Sequence, residues 1–132
     1  FHKAVVNSER EVTVWGSGKP RREFLFADDF AEACLFLMDQ YNDLRLLNVG
    51  CGADVSIAEL AEIIRKVSGY TGKIVFDTTK PDGAMAKLLD NSRIKQLGWK
   101  PKVGLEEGIQ KTYEWFSRLS KEQKVKVSNV TA

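Results

Sequence analysis

The sequence has one histidine, two cysteines and three prolines in 132 residues, and each scarcity closes a class of function. His2, beside a chain end, leaves Ser-His acid–base chemistry without a plausible base. Cys34 and Cys51 are far apart, flank no histidine cluster and form no C-x-x-C pair, so zinc and dithiol chemistry lack their ligands. Two buried, reduced thiols are the expectation. Neither a G-x-x-x-x-G-K-[ST] loop nor a G-x-S-x-G elbow occurs, which removes the usual anchors of phosphoryl transfer and serine hydrolysis. There is no run of about 18 apolar residues, and "FHKAVVNSER" lacks the apolar centre of a signal peptide. A cytoplasmic protein with no membrane partner is expected. The net charge is only +2, without the basic excess of a nucleic-acid binder, so any bound anion should be small and locally held.

What is present reads as an alternation of strands and helices, the pattern of an α/β arrangement. The length suits one domain, or part of a larger fold. Phe1 is not methionine and "FHKAVV" has no capping residue before it, so the chain is expected to begin inside a helix of a longer protein. "EVTVW" alternates polar and apolar residues and predicts a half-buried strand broken by Gly16 and Gly18. "FLF" at 24–26 is a second short apolar run. Asp29 with Glu32 imitates a capping box, and Phe30, Cys34, Leu37, Met38 and Tyr41 recur at helical spacing and predict an amphipathic helix. "LLNVG" at 46–50 has the composition of a buried strand. Ser56 and Glu59 form a fuller capping box, opening a helix that should stop near Gly69. A strand "KIVFD" follows, then an exposed loop marked by Pro81 and Gly83. "SRIKQLG" predicts a short helix, and Leu105, Ile109, Thr112, Tyr113, Phe116 and Leu119 trace the last one. The domain is expected over 1–119, with a polar tail over 120–132.

Several stretches imitate chemistry. "NVGCGADVSIAEL" sits where a dinucleotide fingerprint would, but Val55 stands at the third glycine; a tight turn needing Gly50 and Gly52 for positive φ is the simpler reading. Asp28 and Asp29, like Glu106 and Glu107, open a helix and serve its free N–H groups and dipole. Tyr113 lies on an apolar helix face, as a core residue does. In "VWGSGKPRREF", Arg22 offers a rigid fork of donors suited to phosphate, Lys19 a point charge and Trp15 a flat face for a base or sugar. Taken alone, Trp15 also suits a strand-end core anchor, and the arginines a solvated turn. "TTKPDG" adds Lys80 and Asp82, which are equally ordinary turn residues.

Together, "VWGSGKPRREFLFADDFAEACLFLM", "LLNVGCGADVSIAELAEII", "GKIVFDTTKPDG" and "KLLDNSRIKQLGWKPKVGLEEGIQKTYEWF" resemble the C-terminal, substrate-binding part of the GDP-L-fucose synthase branch of the extended short-chain dehydrogenase/reductase family. The run from Arg22 to the Asp28-Asp29 pair marks the superfamily; "FDTTKPDG", "KLLD" and "LGWKP" mark the branch. The resemblance implies an NADP(H)-dependent parent enzyme that epimerises and then reduces GDP-4-keto-6-deoxy-mannose. Its catalytic Ser, Tyr-x-x-x-Lys, Cys and His, and its cofactor loop, would lie in a missing N-terminal Rossmann half. This portion would bind the GDP-sugar, with Trp15 and Arg22 on the ligand, Arg22 at the diphosphate, Asp82 accepting a hydrogen bond, and Lys80, Lys87 and Lys19 adding charge. It would hold no catalytic residue, cofactor or metal, and would be inactive alone. The branch commonly has Thr-Pro-Arg where Ala84, Met85 and Ala86 stand, so one phosphate-binding arginine is absent. Apolar faces left uncovered, including that of 30–41, imply a homo-oligomer. Two other readings stay open: the substrate domain of a UDP- or dTDP-sugar epimerase or dehydratase, and a non-enzymatic α/β interaction module.

Overall fold

The computed structural model describes residues 1–119; the polar tail expected over 120–132 lies outside them. Five helices and five short strands alternate among the described residues: α1 (His2–Val6), β1 (Glu11–Trp15), β2 (Arg21–Glu23), α2 (Ala27–Gln40), β3 (Asp54–Ser56), α3 (Ile57–Ser68), β4 (Lys73–Asp77), β5 (Ala86–Lys87), α4 (Ser92–Gln96) and α5 (Leu105–Arg118). The α/β class is as expected, with one helix more than the three to four anticipated.

Two small sheets carry the strands. β1 and β4 run parallel, in a register that sets Glu11 beside Lys73 and Trp15 beside Asp77. The second sheet has the order β3-β2-β5, with β3 antiparallel and β5 parallel to β2. The connection from β1 to β2 and the connection from β4 to β5 therefore run side by side from one sheet to the other. This pairing of loops positions the candidate site.

α3 forms where the sequence places it. Ser56 Oγ accepts from the Glu59 N–H at 3.1 Å, the Glu59 carboxylate accepts from the Ser56 N–H at 2.8 Å, and Gly69 ends the helix at φ 70°. Such a box satisfies two of the N-terminal donors that a helix leaves unpaired.

α2 departs from expectation at its start, while most of the apolar face of 30–41 is uncovered, as anticipated. It begins at Ala27 with no side-chain cap. Asp29 is buried, and its carboxylate accepts the N–H groups of Lys102 (3.1 Å) and Val103 (2.9 Å) rather than those of its own helix. The inward arc is Asp29, Ala33, Phe36 and Leu37; Phe30, Cys34, Leu35 and Met38 face out, with Met38 83% exposed. Cys34 is thus not a buried thiol, and Cys51 is only half-buried. Both arcs of this helix are apolar, so periodicity had no means of choosing between them. The choice falls to shape: Ala33, fully buried, lets Ile94 and Trp99 approach the helix closely, and Leu25, Phe36, Leu37, Leu47 and Val49 pack around them.

Residues 46–50 form no strand, contrary to their composition. Leu47 and Val49 pack on that core, but the carbonyls of this segment are taken by side chains: Arg93 donates to the Leu46 carbonyl at 2.7 Å and Asn91 to that of Gly50 at 2.9 Å. A strand needs a ladder partner as well as an apolar run. The short ladder forms instead at Arg21–Glu23, three residues ahead of the "FLF" run.

Candidate functional site

The site grows from the ends of β1 and β4. In open α/β folds, parallel strands release their loops at their carboxyl ends, and ligands collect there. Trp15 closes β1 and is 74% exposed. Gly16, at φ 85°, turns the chain and donates to the Asp77 carbonyl at 2.9 Å. Asp77 closes β4 and starts the opposite loop by accepting from the N–H of Thr79 (3.0 Å) and its hydroxyl (2.6 Å). That turn brings the Lys80 ammonium 5.8 Å from the centre of the Trp15 ring, a cation–π distance.

The two loops are laced along their length. Ser17 donates to Asp82 through its N–H at 2.5 Å and its hydroxyl at 2.7 Å. These two bonds hold the Asp82 carboxyl below the usual carboxylate range, and the charge of Lys19 adds to the effect. A side chain at position 16 would collide with the Asp82 carboxylate, so Gly16 is required by space as well as by conformation. Farther on, the Arg21 N–H donates to the Met85 carbonyl at 2.8 Å and the loops enter β2 and β5. The Met85 backbone makes this last contact, so the side chains of Ala84, Met85 and Ala86 are not needed for it.

Register then brings the cations together. Arg22 pairs with Lys87 on one side and Val55 on the other, so all three side chains leave the same face of the sheet. Arg22 also lines a cavity of about 260 Å³ with Phe24, Val55 and residues 101–105. Its guanidinium donates to the Arg21 carbonyl at 2.7 Å. Among the described residues Arg22, Lys87, Lys80 and Lys19 have no carboxylate within salt-bridge distance. Arg21 is different: its guanidinium bonds the Asp54 carboxylate at 2.8 Å and lies 3.6 Å from Glu59.

Three further residues shape this surface without having been singled out in the sequence. Ser17 and Asp77 lie in stretches whose turn character was evident; Glu23 lies inside the run from Arg22 to Asp29 that marks the superfamily, but nothing local pointed to its partners. The Glu23 carboxylate accepts the Gly52 N–H at 2.6 Å and the Leu89 N–H at 3.0 Å. It also explains the glycines of "VGCGAD". Gly52 has φ 75°, as expected, whereas Gly50 does not adopt positive φ; a Cβ there would sit 2.5 Å from Glu23 Oε1. The closest approach to this turn is thus occupied by a carboxylate, the wrong charge for a pyrophosphate, and the turn leads into β3 rather than directly into a helix. These residues do not fit a dinucleotide cofactor.

Residues 2–50 match the NAD dependent epimerase/dehydratase family. The chain is 55% identical over 116 residues to the putative GDP-L-fucose synthase 2 of Arabidopsis thaliana, an alignment covering 88% of this chain and 35% of that protein. It is 46% identical to the GDP-L-fucose synthase of Escherichia coli K12, covering 88% of this chain and 39% of the relative. The solved structure of a GDP-L-fucose synthetase from Naegleria fowleri bound to NADP superposes with a TM-score of 0.83 at 32% identity, over 88% of this chain and 37% of that one. The chain spans little more than a third of the length of these relatives. By sequence and by fold the chain is similar to the C-terminal portion of the GDP-L-fucose synthases, and its residues 2–50 carry the match to the NAD dependent epimerase/dehydratase family.

Proposed function

We propose that this chain is the nucleotide-sugar-binding portion of a longer, cytoplasmic enzyme of the GDP-L-fucose synthase type. The observation that carries the reading is the Arg22–Lys87 pair, two neighbouring cations with no carboxylate partner among the described residues, on loops whose other end bears an exposed Trp15. Arg22 clamps the diphosphate with its planar fork, Lys87 adds a second charge, and Trp15 with Lys80 walls the base or sugar. Lys19 raises the local positive potential. Both Asp82 oxygens already accept from Ser17, but each keeps a second lone pair for a ligand hydroxyl.

The full enzyme would carry out two epimerisations of GDP-4-keto-6-deoxy-mannose, then reduce its ketone. NADPH, which supplies the hydride, and the acid–base residues would belong to the remaining two-thirds of the protein, and this portion alone would be inactive. The outward stripe of α2 and the unladdered residues 46–50 are the surfaces we assign to contact with that remainder. In its absence they favour self-association, which light scattering checks: a monomer in dilute solution counts against it.

Calorimetry with GDP, UDP and dTDP tests the ligand. The expected result is tightest binding of GDP. Equal or inverted preference would move the site to another nucleotide-sugar enzyme, and no nucleotide binding at millimolar concentration would favour an interaction module.

A further inference from the structure

We propose that Glu23 is a positioning residue for the nucleotide-diphosphate site: its carboxylate clasps the exit of β5 and the Gly50–Gly52 turn, and so fixes Lys87 beside Arg22. The inference rests on the function proposed above and adds to it the residue that sets the spacing of the two cations.

β5 contains only Ala86 and Lys87. Two residues of parallel ladder hold a strand weakly, because the hydrogen bonds are few and the pairing is slightly less stable than antiparallel. The segment is restrained before Lys87 by the bond from the Arg21 N–H to the Met85 carbonyl and after it by the bond from the Leu89 N–H to Glu23. The latter is charge-assisted, and so among the stronger kinds of hydrogen bond. Residues on this stretch are exposed, so apolar packing does little to hold them.

The other oxygen of Glu23 is held as firmly. It accepts from Gly52, and the absence of a side chain at Gly50 leaves the space the carboxylate fills. Glu23 leaves β2 on the face opposite Arg22, since successive side chains of a strand alternate. It therefore braces the pair from behind, and its acidity is spent on two backbone N–H groups rather than on the cations. The same β2 segment thus presents the guanidinium on one face and anchors the neighbouring lysine's strand from the other.

A double-mutant cycle on GDP affinity by calorimetry distinguishes this role from general structural support. Lys87→Ala should weaken GDP about tenfold or more. Glu23→Gln leaves one oxygen and places an amide donor against a backbone N–H; with Lys87 present it should weaken GDP about fivefold, and in a Lys87→Ala background by less than about twofold. Should Glu23→Gln fail to fold, Gly50→Ala displaces the clasp from the other side, at a position whose backbone accepts alanine, and should give the same pattern. Equal losses in both backgrounds would overturn the positioning role while leaving the cation site intact. If Lys87→Ala and Arg22→Ala each leave GDP binding unchanged, the proposed site fails, and this inference with it.

Discussion

On one face of β2, Arg21 bonds Asp54 and lies near Glu59, and Glu23 holds two backbone N–H groups. On the other, Arg22 and Lys87 stand side by side with no carboxylate among the described residues within reach. Neighbouring residues of one chemistry thus divide into fastening and binding roles, and strand alternation makes the division. A cation already paired offers little to an incoming anion, because its donors and field are taken; an unpaired one on a rigid strand is ready for a phosphate.

The sharpest way to break this contrast is to remove each arginine in turn. Arg22→Ala should weaken GDP by about 1.5–3 kcal/mol, tenfold to a hundredfold, by calorimetry, while its urea midpoint stays near that of the wild type. Arg21→Ala should do the reverse: GDP affinity unchanged and thermal stability lowered by a few degrees at most, since its ion pairs are exposed. If Arg21→Ala lost affinity as severely as Arg22→Ala, the separation of the two faces would be wrong.

A smaller effect concerns the lacing of the loops. Ser17 holds the Asp82 carboxyl below its ordinary value, so the ionised form is favoured in the folded protein. The stabilisation is present above the unfolded carboxyl pKa, about 3.9, and is lost as pH falls through the lower folded value. Urea unfolding of the wild type and Asp82→Asn should therefore differ at pH 7 and converge as the pH drops below about 4. A gap that persisted at low pH would show that the carboxylate is not what laces the loops.

Features whose cause lies within a few residues were legible in the sequence. The Ser56–Glu59 box, the stop at Gly69, the β1 and β4 runs and the turn character around Gly16 and Gly18 all followed from local hydrogen bonding and backbone freedom. The choice of Trp15, Arg22, Lys80 and Lys87 came from charge, aromaticity and family resemblance; the fold places Trp15 with Lys80 and Arg22 with Lys87. Two expectations failed where local pattern was not enough. Residues 46–50 were apolar enough for a strand but have no ladder partner among the described residues, and Cys34, expected to be a buried thiol, lies on the outward arc of α2, since only the other arc meets Ile94 and Trp99.

Local chemistry alone thus dictated where helices begin and end, which loops must turn, and that an unusual cluster of cations follows β1. Long-range contact decided which of those cations are free. The bonds of Glu23 to Gly52 and Leu89 and of Ser17 to Asp82 join residues 29, 66 and 65 positions apart. No periodicity or capping rule reaches that far; such pairings exist only once the register of β2 between β3 and β5 is set, and that register depends on every element packed around it.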